Sequence, residues 1–122
     1  MRPQQLVAQA RALVADFTPG TAGLWPRAAS LLARQAIETA MDELWARRAP
    51  GVAELSARAQ LMCLPEYLRD PALAGEVAFT WAALSEACHV RAYETGPTAE
   101  ELEARFAVVD RLVDRLVAAA GA

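Results

Sequence analysis

The chain contains no lysine. All 12 of its basic residues are arginine, which excludes any mechanism built on a lysine amine. Histidine occurs once, at His89, so a bis-histidine haem or a histidine-rich zinc site is excluded as well. There is no Gly-rich phosphate loop, no Cys-x-x-Cys and no His-Glu-x-x-His, and the two Glu-x-x-His motifs that a di-iron bundle needs cannot both be present with one histidine. No apolar run reaches the length of a membrane span, because Arg, Asp or Glu interrupts every candidate. The two cysteines, Cys63 and Cys88, lie in helical, apolar contexts. With no export signal ahead of them they read as reduced core residues of a cytoplasmic protein.

What is present is apolar and helical. Hydrophobic residues make up 55% of 122 residues, enough for one domain with a single core. The net charge of −3 and pI of about 5.1 argue against a protein that coats nucleic acid non-specifically.

Five helices are expected. Pro3 to Phe17 places Leu6, Ala10, Leu13 and Phe17 on one face, with Val7 and Val14 beside them. Thr18-Pro-Gly-Thr-Ala-Gly breaks that pattern. Pro26 then suits a first helical turn, and the second helix is expected to run to about Ala49. Ala29, Ala33, Ala36, Ile37, Ala40, Met41, Leu44 and Trp45 fill one broad arc of it. Arg34 projects into that apolar arc, and Glu38 follows one turn on, spaced to pair with it.

A third helix, Ala53 to Leu68, is expected after Ala49-Pro-Gly, with Leu55, Ala59, Leu61, Met62 and Leu64 apolar and Arg58 among them. Pro65 predicts a kink or an early stop. Asp70-Pro71 is an N-cap with a first-turn proline. The fourth helix, Pro71 to Thr95, is apolar nearly all round, which predicts a central helix covered on several sides. Ala78, Ala82 and Ser85 lead along one side of it to His89 and Tyr93. Thr98-Ala-Glu-Glu101 is a capping box that opens the last helix. There Leu102, Phe106, Val109, Val113 and Leu116 recur on one face, with Glu101–Arg105 and Arg111–Asp114 outside. Five helices joined by short turns predict an all-α fold, an antiparallel up-and-down bundle of four to five helices in a single domain, 1–122.

Four residues are the candidates for chemistry: His89, Arg34, Glu38 and Tyr93. A lone histidine on a packed helix is ordinarily a structural hydrogen-bonder, and Arg34 with Glu38 is ordinarily an interhelical ion pair. The functional reading rests on the combination, since the second and fourth helices side by side would put all four in one cleft. No metal and no cofactor is expected. Cys63, Cys88, His89 and Glu94 are the one conceivable ligand set, and the adjacent Cys88 and His89 diverge by about 100° on a helix.

Two stretches carry a resemblance. SLLARQAIETAMDELW resembles the second helix of HEPN domains, and ACHVRAYETGPTAEEL is similar to the histidine-bearing region of related bacterial helical proteins. The resemblance covers most of the chain from Arg27 onward. It implies an all-α domain and a homodimer. Many HEPN domains are metal-independent endoribonucleases; others are inactive modules that bind RNA or partner proteins in defence and toxin–antitoxin systems. Active members carry an arginine a few residues before a histidine. Here His89 fits, but Trp81-Ala82-Ala83-Leu84 stands where the arginine would be, and Arg91 follows instead. The expectation is therefore a non-catalytic, homodimeric module, with no membrane partner and with RNA or a protein as the partner. The alternative is a metal-independent endoribonuclease whose cation comes from Arg34 or Arg58, with His89 as acid and base and Glu38 orienting.

Overall fold

Pro3 opens the first helix, α1 (Pro3–Ala15), where its missing N–H costs nothing. The Gln5 side chain accepts the Arg2 backbone N–H at 2.9 Å. In the computed structural model, residues 1–16, 25–89 and 96–121 are described. Phe17, expected on the α1 stripe, lies outside them. Leu6, Val7 and Ala10 are buried as the spacing predicts, and Leu13 and Val14 pack against the core edge.

The bundle is built around α2 (Trp25–Arg48). All eight residues of its expected apolar arc, from Ala29 to Trp45, are buried. At 24 residues, or roughly 36 Å at 1.5 Å per residue, it is long enough to meet α1, α4 and α5 together. Its alanines keep that contact surface low, so three helices pack on it without large side chains competing for space.

The connection after α2 differs from expectation. Pro50–Glu54 forms a 3-10 turn, and α3 (Ala57–Leu68) begins only after Ser56, whose Oγ accepts the Ala59 N–H at 3.2 Å. Ser56 is a better N-cap than anything upstream, and it sets the late start. Leu55 therefore falls in the connection, 46% exposed, and Met62 is 80% exposed; both were expected to be apolar contacts. Arg58 is exposed rather than set among apolar neighbours. Pro65 neither stops α3 at once nor extends it. The helix closes four residues later at Arg69, which takes the left-handed conformation (φ 56°) and donates its N–H to Pro65 O at 3.1 Å.

The Asp70 carboxylate caps α4 (Pro71–Ala87), accepting the Leu73 N–H at 3.0 Å. This helix is not the central one. It packs on α2, α3 and α5, but Phe79 is 75% exposed, and Ala72, Gly75 and Ala82 also face outward. Small residues raise hydropathy without demanding burial, so an apolar composition overstates how far α4 is enclosed. It also ends at Ala87, well short of Thr95. The Cys88 N–H bonds Leu84 O at 3.1 Å and the His89 N–H bonds Glu86 O at 3.1 Å, a tightening of the last turn.

The final helix, α5 (Ala99–Gly121), starts as expected. The Thr98 N–H donates to Glu101 Oε1 at 3.0 Å and the Glu101 N–H to Thr98 Oγ1 at 3.1 Å. Leu102, Phe106, Val109, Val113 and Leu116 are all buried. Arg105 pairs with Glu101 at 3.9 Å, but Arg111 pairs with Glu76 of α4 instead of Asp114. Arg11 ties α1 to α5, reaching Glu103 at 2.8 Å and Asp110 at 2.7 Å. Each such surface pair contributes at most about 1 kcal/mol, while burying one Leu or Phe side chain contributes about 1.5–3 kcal/mol; the apolar stripes hold the bundle and the ion pairs adjust it. The described residues thus form an all-α antiparallel bundle of five helices, with no helix long and apolar enough to cross a membrane.

One buried polar side chain joins three elements. Gln60, 7% exposed, accepts the Trp45 indole N–H at 3.0 Å. Its amide donates to Leu55 O at 2.9 Å and Ala53 O at 3.3 Å. Gln60→Leu leaves the Trp45 N–H buried without an acceptor, so it should lower the unfolding free energy by about 2–3 kcal/mol, measured by urea titration of tryptophan fluorescence.

Candidate functional site

Arg27 and Arg34 are seven residues apart on α2, so they share one face, and Glu38 follows one turn later. This face meets the C-terminal half of α4 in antiparallel register. At one end the Arg27 Nε–H donates to the Cys88 backbone carbonyl at 3.2 Å. At the other the Trp81 indole N–H donates to Glu38 Oε1 at 3.4 Å. Between them Arg34 Nε lies 3.5 Å from the same Glu38 oxygen. The Arg34–Glu38 separation is that of an ion pair and not of an aligned hydrogen bond, so among the described residues the buried Arg34 Nε–H has no acceptor.

Two more polar atoms in this region are buried without partners: Ser30 Oγ, one turn before Arg34 on α2, and Ser85 Oγ, one turn after Trp81 on α4. Each such group costs about 1–3 kcal/mol when nothing satisfies it. The α2/α4 contact is therefore the costly polar seam of an otherwise apolar bundle.

Of the four expected residues, Arg34, Glu38 and His89 lie among the described ones. Arg34 and Glu38 pair, as their spacing predicts. His89 lies one residue past Cys88, exposed beyond the end of α4, and among the described residues no hydrogen bond or ion pair joins its ring to Arg34 or Glu38. The antiparallel register is the reason: Cys88 stands at the Arg27 end of the seam and Trp81 at the Glu38 end, so His89 falls past Arg27 and away from Arg34 and Glu38. Tyr93 lies outside the described residues. Arg27, Trp81 and Cys88 belong to the seam, although the sequence marks Cys88 only as a core cysteine or a conceivable metal ligand and marks neither of the others as a site residue. The Arg27–Arg34 spacing was the available signal for the first; the indole and thiol are placed by packing alone.

Cys88 reports the electrostatics. Burial pushes its thiol pKa up, the nearby Arg34 and Arg27 charges pull it down, and Glu38 pushes it up; burial prevails. The thiol is thus kept protonated and is a poor nucleophile at neutral pH. Both cysteines are free and half-buried. Among the described residues no group of three Cys, His, Asp or Glu side chains could hold a metal ion, and Glu94 of the conceivable set lies outside them.

Taken chemically, the seam holds two guanidinium groups, one carboxylate with an indole on it, and a protonated thiol. Among the described residues no free base stands beside a free cation in it, the pairing that general acid–base attack on a phosphodiester requires. No protein-family model, no curated protein and no solved structure matches the chain.

In a Cys63→Ser background, the rate at which Cys88 reacts with a disulfide reagent should rise with a midpoint above the ordinary thiol value of about 8.5. Arg34→Gln should move that midpoint higher still, because it removes the larger attractive charge and leaves Glu38 unopposed. A downward move would show that Arg34 does not act on the thiol.

Proposed function

We propose that the chain is a non-catalytic, homodimeric interaction module, HEPN-like in its second helix. The groove between α4 and α5 is where a second copy docks. Phe79 carries this reading. It stands 75% exposed on a 620 Å³ groove lined also by Gly75, Ala104 and Val108. Glu76, Glu101, Arg105 and Arg111 surround them.

An isologous interface must complement itself. This face offers both a projecting ring and a recess, and its rim carries two acids and two bases with no net charge. A copy turned about a two-fold axis can set Phe79 into the partner's recess and acid against base. A central aromatic anchor inside a charged rim is the anatomy of such contacts.

The endoribonuclease reading asks for an arginine free to meet the scissile phosphate beside His89. Arg34 faces Glu38 instead, and Arg58 sits exposed on α3. The HEPN resemblance supports a cytoplasmic regulatory role in a defence or toxin–antitoxin setting, with RNA or a partner protein as its target. Purified protein incubated with tRNA in EDTA should produce no cleavage that His89→Ala or Arg34→Ala abolishes; cleavage lost in both variants would favour the enzyme.

Light scattering at micromolar concentration should give twice the 13.1 kDa chain mass. Phe79→Glu should return the single-chain mass with helical circular dichroism unchanged. Wild-type protein eluting as a single chain would overturn the dimer.

A further inference from the structure

A second concavity, sharing no residue with the α4/α5 groove, has a different character. It measures 290 Å³ and is lined by Leu44, Arg48, Tyr67, Leu68, Arg69, Arg115 and Leu116. Three of its seven lining residues are arginines and none is acidic. Four other arginines of this acidic chain, Arg11, Arg34, Arg105 and Arg111, meet carboxylates. Among the described residues Arg48, Arg69 and Arg115 form no ion pair. Instead Arg48 lies over the Tyr67 ring, 5.9 Å from its centroid, which holds the guanidinium in place by a cation–π contact.

Two observations separate this cluster from ordinary solvated charge. The first is a balance of charges. Arg48 ends α2 and Arg69 follows the end of α3, and basic residues are favoured there by the helix dipoles. Two helix ends supply roughly half a negative charge each, about one in all, against three guanidinium charges. Among the lining residues and these helix ends the surplus is about two positive charges, with Asp70 and Asp114, the sequence neighbours of two of the arginines, outside the lining. The second is Arg69 itself, the one non-glycine residue with positive φ among the described residues. The position is one that glycine normally takes at a helix end. An arginine there accepts backbone strain, and strained residues concentrate at binding sites.

We infer that this recess binds a phosphate group, held by the guanidinium groups of Arg48, Arg69 and Arg115. Arginine forks match the oxygens of a tetrahedral dianion, and two net positive charges match its charge. At about 30 Å³ per water, the recess has room for a substituent beside the anion. The ligand class is thus inorganic phosphate or a phosphomonoester.

Isothermal titration at constant ionic strength, with inorganic phosphate in one arm and glycerol phosphate in the other, tests this. Saturable binding is expected in at least one arm, and tighter binding of the ester identifies a phosphomonoester as the ligand. Arg115→Gln and Arg69→Gln should each weaken it about tenfold, the loss of one charge-assisted contact. Arg58→Gln, an exposed arginine of α3 outside the recess, should leave it unchanged. Arg69→Gly should weaken binding and yet raise the midpoint of thermal unfolding, since it relieves the left-handed strain. Absence of saturable binding in both arms, or equal weakening by Arg58→Gln, overturns the site.

Discussion

The hydrogen bonds of Gln60 fix the one part of this bundle that helical periodicity leaves undetermined. Two helices joined by a turn can pack with many relative placements if only apolar surface is at stake, because dispersion and burial have no direction. Gln60 adds direction. Its carbonyl holds the indole of Trp45 on α2, and its amide holds Ala53 O and Leu55 O of the connection. The Trp45 ring then meets Tyr67 edge-on at 5.3 Å, which orients the C-terminal half of α3. Ser56 starts the helix and Arg69 ends it, so α3 is located at both ends and in the middle. Since α3 packs on α4, the placement of α4 against the rest follows from the same bonds.

The α2/α4 seam works by a different balance. Glu38 receives both an arginine and an indole N–H on one oxygen, at separations of 3.4–3.5 Å, while Ser30, Ser85 and Arg34 keep buried polar atoms without partners. Unpaired buried polar atoms of this kind cost stability. What the polar seam supplies is register. Arg27 on the Cys88 carbonyl and Glu38 on Trp81 align the two helices end to end, and a slide by one turn would strand both contacts together.

Much of this was legible in the residues because it is local. The α2 arc, the Asp70 cap, the Thr98–Glu101 box and the Arg34–Glu38 pair all follow from spacings of three or four residues along one helix. What was not legible depends on neighbours. Met62 and Phe79 are as apolar as Leu64 and Val77, yet they are exposed, because no helix happens to cover their side of the bundle. The end of α4 at Ala87 has no proline or glycine to announce it, so His89 appeared to belong to a buried face that it does not reach. Cys88 beside two arginines required knowing which helices meet.

The arginines show how far such placement can change meaning. In the sequence, Arg34 looked like the exceptional cation, because it interrupts an apolar arc. In the fold it is compensated by a residue one turn away, whereas Arg48, Arg69 and Arg115, which break no apolar pattern, line one recess that has no carboxylate in its lining. Helices that are antiparallel bring residues from distant parts of the chain to one end of the bundle. Here the last turn of α2, the stop of α3 and the late turns of α5 converge. A local mismatch in polarity, as at Arg34, is therefore usually resolved locally. A surplus of like charge can instead be assembled by topology, from residues far apart in the sequence. It is left to be met by water, by salt or by a ligand, and a residue that accepts backbone strain to join it, as Arg69 does, tips that choice toward the ligand.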